Sequence, residues 1–74
     1  LDRHEEAAAS LEQAVELDPR NLINHLALAR IYLDLDRPED ARAHLREVLD
    51  RPAMEPTDPL LKQRAHELLG KIQP

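Results

Sequence analysis

The sequence contains no cysteine, one glycine (Gly70), and a single residue, Tyr32, of the Phe, Trp and Tyr class. Without cysteine, neither a disulfide framework nor a thiolate metal site is available. A single glycine excludes a glycine-rich loop that cradles phosphate. No apolar run approaches the roughly 20 residues of a membrane span, which predicts no membrane insertion. Leu1 in place of an initiating Met suggests a fragment or a processed product, and leaves the localisation unknown.

Length and composition indicate one small folded domain. The 74 residues are 42% hydrophobic and 34% charged, which is too apolar for a disordered tail. A chain of this length buries only about 60% of its unfolded surface, so we expect marginal stability. Abundant Ala and Leu with almost no aromatic or β-branched enrichment favour helices over strands.

The net charge of −5 is concentrated at one end of the chain. Residues 1–18 carry six acidic side chains against Arg3 alone, whereas residues 19–74 carry nine acidic and nine basic ones. Nucleic acid is therefore an unfavourable partner for this surface.

Four stretches place apolar residues at helical spacing. The predicted helices run from about residue 3 to 17, 22 to 35, 37 to 50 and 59 to 72. We expect their N-terminal caps to be Asp2, Asn21, Asp36 and Asp58. The second helix is apolar on nearly every side, so other helices must cover it all round. The longest loop is predicted at residues 51–58.

A segment at the start of the chain recurs with an offset of 34 residues. The two copies are Leu1-Asp2-Arg3-x-Glu5-x-Ala7-x3-Leu11 and Leu35-Asp36-Arg37-x-Glu39-x-Ala41-x3-Leu45. Between the two copies the chain reads His25-x2-Leu28-Ala29-x2-Tyr32, and within the second copy it reads Ala41-x3-Leu45. This resembles the tetratricopeptide repeat, whose pattern is Trp-x2-Leu-Gly-x2-Tyr, then Ala-x3-Phe, with a period of about 34 residues. The departures are His25 for Trp, Ala29 for Gly and Leu45 for Phe.

The resemblance implies an all-α solenoid segment of four antiparallel helices. Residues 1–19 would be the second helix of a preceding repeat, residues 21–50 a complete repeat, and residues 58–73 a capping helix. A compact four-helix bundle is the alternative, and it requires extensive packing between the first and fourth helices, for example between Leu11 and Leu68.

The pattern of polar residues favours neither catalysis nor a cofactor. Ser10 and Thr57 are the only hydroxyl residues besides Tyr32, and Ser10 has no histidine within helical reach. The four histidines are distributed one to each predicted helix, at His4, His25, His44 and His66. Asp40 and His44 form a carboxylate–histidine pair on one helix face, which is half of what a bundle metal site needs. We expect His25 to pack in the core, with a ring nitrogen bonded to backbone or water.

The resemblance implies a protein-interaction scaffold or adaptor that binds a protein or peptide in a helix-lined groove. By resemblance, the groove would be lined by Ile23, Leu26, Arg30, Leu33, Lys62, His66 and Leu69. A carboxylate-binding variant of the family uses Lys, Asn and Arg side chains. Only Arg30 and Lys62 could take that role here, so we expect an apolar groove. The alternatives are that the apolar residues belong to the core, or that the chain caps or oligomerises a longer array without a ligand.

We also expect self-association through the first helix, because the resemblance implies a helix before it that this chain does not contain. The residues expected at this contact are Ala8, Leu11, Val15 and Leu17. A symmetric homodimer is the preferred geometry because closed dimers are the commonest assemblies. Head-to-tail contact of the acidic first helix with the basic fourth helix is the second possibility.

Overall fold

A computed structural model describes residues 2–72, which form four α-helices and no strand. The helices are α1 (Arg3–Leu17), α2 (Leu22–Asp34), α3 (Pro38–Asp50) and α4 (Asp58–Ile72). Each predicted boundary lies within one residue of the observed one, so the all-α prediction is confirmed.

Helix α2 is the centre of the packing, because it contacts α1, α3 and α4, while α3 also contacts α4. No Cα atom of α1 lies within 8 Å of one in α4 among the described residues. The described chain is a slab of 35 × 32 × 15 Å. The solenoid prediction is therefore confirmed over the compact bundle.

The core is made chiefly by α2 and α3. Its buried apolar residues are Ala8, Leu22, Leu26, Leu28, Ala29, Tyr32, Ala41, Leu45, Val48 and Ala65. Half of these belong to α2 alone, which confirms that this helix is covered on several sides. In α1 the predicted inner face at Ala7, Leu11, Ala14 and Val15 is half-buried, and the most buried residue is Ala8.

Two of the four predicted N-terminal caps are confirmed. The Asp2 carboxylate accepts a hydrogen bond from the His4 backbone N–H at 3.1 Å. The Asn21 side-chain oxygen accepts from the backbone N–H groups of Ile23 and Asn24, at 3.0 and 3.3 Å. These bonds satisfy amides that have no partner within the helix.

The prediction that Asp36 caps α3 is wrong, because Asp36 ends α2 instead. Its φ of 58° is left-handed, a conformation that Asp tolerates better than most residues. The Asp36 N–H donates to Leu33 O at 3.1 Å and the Arg37 N–H to Tyr32 O at 2.8 Å, which is a Schellman closure. Arg37 then precedes α3 without a side-chain cap, and Pro38 occupies the first turn.

The prediction that Asp58 caps α4 is also wrong. Asp58 is buried and is the first residue of α4, and its carboxylate points back to accept from the N–H groups of Met54 and Glu55, both at 2.8 Å. These two hydrogen bonds hold the pKa of Asp58 below its usual value, and the nearby Lys62 ammonium acts in the same direction. Asp58 therefore fixes the loop between α3 and α4.

Lys62 ties α4 to the end of α3. Its ammonium donates to Val48 O at 2.6 Å, to Leu49 O at 3.2 Å and to Arg51 O. The last carbonyls of a helix have no partner within the helix, and a cation there also suits the helix dipole.

Lys62→Met is expected to lower the free energy of unfolding by about 1–2 kcal/mol, because it leaves three part-buried carbonyls without their charged donor. Urea denaturation measures this directly. Lys71→Met is the matched control on an exposed site of the same helix, and should change stability by less than about 0.5 kcal/mol. Equal effects of the two substitutions would contradict this role of Lys62.

Tyr32 connects α2 to α1. Its hydroxyl donates to a carboxylate oxygen of Glu12, and the Arg37 guanidinium lies 4.5 Å from the centroid of its ring. Burial and then the Glu12 hydrogen bond raise the pKa of Tyr32 to about 12 from a usual value of 10.0.

Because this pKa is raised in the folded state, the stability linked to neutral Tyr32 is present below pH 10 and is lost as the pH rises from 10 towards 12. Tyr32 is the only tyrosine, so tyrosinate absorbance reports on it alone. We expect the folded chain to titrate near pH 12, and the chain in urea to titrate near 10. Identical titration curves in the two states would refute the buried Tyr32–Glu12 bond.

Candidate functional site

A groove of about 210 Å³ runs between α2 and α4. Its lining residues are Leu26, Arg30, Arg64, Glu67, Leu68 and Lys71. The spacing follows from helix geometry, because residues three or four apart lie on one helix face. Two neighbouring helices thus each contribute one face to a shared cleft.

The groove has an apolar floor and a charged rim. Leu26 is buried and Leu68 is half-buried, whereas Arg30, Arg64, Glu67 and Lys71 are exposed. Within residues 2–72, none of these four charged side chains takes part in a salt bridge of 4.0 Å or less. Three cations against one anion make the rim locally positive in a chain of net charge −5.

Of the residues predicted for a binding groove, Leu26 and Arg30 line this one, whereas the α4 residues that line it differ from those predicted. Lys62, His66 and Leu69 do not line it. The observed residues 64, 68 and 71 differ from the predicted 62, 66 and 69 by two positions, which turns the face by about 200°. The Lys62 contacts with the end of α3 fix this rotation.

Leu61, Ala65, Leu68 and Ile72 recur at helical spacing in the sequence and mark the inner face of α4, which is the signal that could have located the missed residues. Ala65 is fully buried, so residues beside it on one edge, Arg64 and Leu68, face the neighbouring α2. Leu33 does not line this groove either; it is half-buried and packs against the core.

Ile23 lies in a different depression, of about 610 Å³, between the start of α2 and the loop that precedes α4. Its lining includes Arg20, Met54, Glu55 and Pro56. Ile23 is 56% exposed and Met54 is 70% exposed. Of the residues predicted to form one groove, Leu26 and Arg30 thus line the α2–α4 groove, Ile23 lines this depression, and the others line neither.

His25 has the backbone partner that the sequence predicts. It is 3% exposed, and its Nε2 lies 2.7 Å from the carbonyl oxygen of Pro19. Asp40, the predicted neighbour of His44, instead pairs with the Arg37 guanidinium at 2.8 Å. No group of three or more His, Asp or Glu side chains among residues 2–72 is arranged to hold a metal ion.

The residues predicted for self-association do not share one exposed face. Ala8 was expected at a contact between copies, but it is 4% exposed and packs within the chain, so it is not available for that contact. Leu11 and Val15 are half-buried against the core, while Leu17 is 87% exposed. Self-association through Leu11, Val15 and Leu17 stays a prediction.

None of the helices in the described part of the chain is both long enough and apolar enough to span a membrane. Comparison with family models gives a match to the tetratricopeptide repeat over residues 1–72. Searches of curated proteins and of solved structures gave no match. The family match extends over nearly the whole length and agrees with the four-helix solenoid and the 34-residue offset. The chain belongs to the tetratricopeptide repeat family.

Proposed function

We propose that the chain is a protein-interaction module that binds a short, extended, acidic peptide segment in the α2–α4 groove. The observation that supports this best is an apolar floor, Leu26 and Leu68, beneath three exposed cations, Arg30, Arg64 and Lys71. Proteins of this family generally mediate protein–protein interactions, which agrees with a peptide ligand.

The size of the groove limits the length of the segment. Along α4, Arg64 and Lys71 are about 10 Å apart at 1.5 Å per residue, and about three residues of an extended peptide span that distance. An apolar side chain of the peptide would lie on Leu26 and Leu68. Carboxylates on either side of it would face the cations of the rim.

This arrangement differs from a carboxylate clamp built on Arg30 and Lys62. Lys62 is held by three backbone carbonyls at the end of α3. The cations that remain for a ligand belong to Arg30, Arg64 and Lys71, and they are spread along the groove. We therefore infer that the module recognises several acidic side chains and is less suited to a single chain terminus.

The alternative function is a structural segment that caps or oligomerises a longer array and has no ligand of its own. The exposed Leu17 and the acidic α1 favour it, because both offer a contact surface outside the groove. In that case α4 would cap the stack of helices, and α1 would contact the rest of the array.

The probe for the proposal is a fluorescent Asp-Glu-Leu-Asp-Glu peptide, with an Asn-Gln-Leu-Asn-Gln peptide as its neutral match. We expect only the acidic peptide to bind, and added salt to weaken binding. Arg30→Glu combined with Arg64→Glu should weaken binding by about tenfold or more, because two exposed attractions become repulsions. Leu26→Glu is unsuitable, since Leu26 is part of the core.

Arg46→Glu and Arg20→Glu together form the matched control, because they reverse the same charge at two exposed sites outside the groove. Circular dichroism checks that each variant is folded. Equal weakening by both pairs of substitutions, or equal binding of the two peptides, would contradict groove recognition. Absence of peptide binding together with concentration-dependent sedimentation would favour the structural alternative.

A further inference from the structure

His25 of α2 and His44 of α3 face each other across the joint between the two helices. Their Nδ1 atoms are 3.0 Å apart, and their ring centroids are 5.2 Å apart with an interplanar angle of 34°. His25 is buried and His44 is half-buried. Neither histidine lines the α2–α4 groove.

The partners of His25 determine where the protons lie. The Pro19 carbonyl can only accept, so the Nε2 atom of His25, 2.7 Å away, must carry a hydrogen. In a neutral His25 ring the Nδ1 atom is then an acceptor. The Nδ1 atom of His44 must therefore carry the hydrogen that bridges the two rings.

This geometry tolerates one additional proton but not two. A proton on Nε2 of His44 leaves the bridging hydrogen in place. A proton on Nδ1 of His25 as well would put two N–H donors and two positive charges against each other at 3.0 Å, with no acceptor between them. The fully protonated pair is thus incompatible with the observed contact.

We propose that the His25–His44 contact is a pH-sensitive latch that holds α2 on α3 when at least one ring is neutral and opens when both rings are protonated. Opening would release the wall of the groove that carries Leu26 and Arg30, because these residues lie on α2. The latch itself does not depend on what the groove binds.

The charges around the pair come from three helices. Burial lowers the pKa of His44, and His25 lowers it further, while Glu47 and Asp40 of α3 and Glu12 of α1 oppose this effect. Tyr32 of α2 lies beside His44, with ring centroids 5.6 Å apart. On α4, the Lys62 ammonium donates hydrogen bonds to Val48 O and Leu49 O at the end of α3.

The direction of the pH effect follows from the lowered pKa. Unfolding exposes His44 to water and restores its usual pKa of 6.5, whereas burial and the nearby His25 hold the pKa of His44 below that value in the folded chain. The stability is therefore complete above about pH 6.5 and is lost as the pH falls below it. With a difference of one proton, the unfolding equilibrium constant rises about tenfold for each pH unit.

The test is urea denaturation of the whole chain between pH 7.5 and 5, compared with His44→Asn. Asparagine keeps an N–H donor near the position of Nδ1, and its amide can turn to accept from a protonated His25. We expect the unfolding constant of the unmodified chain to rise about tenfold per pH unit below 6, and that of the variant to rise less than about threefold. His66→Asn, at an exposed site on α4, is the control and should behave as the unmodified chain does.

Nuclear magnetic resonance titration of the unmodified chain gives a second readout that does not depend on the folding of any variant. We expect the His25 and His44 ring signals to shift together and the α2–α3 contacts to be lost with the second proton. Independent titration of both rings at the ordinary histidine pKa, with the contacts retained, would overturn the latch. The same pH dependence in His44→Asn as in the unmodified chain would overturn it as well.

Discussion

The burial of α2 is the constraint on which the rest of the structure depends. This helix is apolar almost all round, and its surface can leave water only if several neighbours cover it. Helices α1, α3 and α4 each cover part of it, whereas α1 and α4 do not touch each other in the described residues. The order of the helices, the flat shape and the α2–α4 groove all follow from this arrangement.

Side-chain hydrogen bonds also cross the contacts of α2 with α1 and α3, and they make this packing specific. Glu12 bonds to Tyr32 across α1 and α2, and His44 bonds to His25 across α2 and α3. His25 occupies the position where the family pattern has a Trp, and its Nε2 atom donates to Pro19 O. These hydrogen bonds favour the observed packing of the helices over alternative packings, because a shift of one helix would leave several of these polar groups without partners.

The sequence predicts the helices and their order because their causes are local. Apolar spacing, prolines and the 34-residue offset each depend on residues close in the chain, and every helix boundary agrees within one residue. The caps show the limit of local reasoning. Asp36 and Asp58 look like N-terminal caps, yet Asp36 closes the helix before it and Asp58 closes the loop before it. An aspartate between two helices can either cap the following helix or close the preceding segment, and the tertiary packing decides between these roles.

The α4 side of the groove was missed because its residues depend on how α4 is rotated, and only the helical spacing of apolar residues 61, 65, 68 and 72 marks that rotation in the sequence. Lys62 fixes that rotation through its contact with Val48 O at the end of α3, 14 positions away in the chain. The His25–His44 pair likewise joins residues 19 positions apart on two helices. Neither feature leaves a short motif in the sequence.

Amide hydrogen exchange of the whole chain tests the central place of α2 most directly. The account predicts that the amides of α2 and α3 exchange most slowly, and that those of α1 and α4 exchange at least about tenfold faster through separate openings. Protection of α1 and α4 equal to that of α2, lost in one common opening, would contradict it, because that behaviour belongs to a bundle in which every helix supports every other.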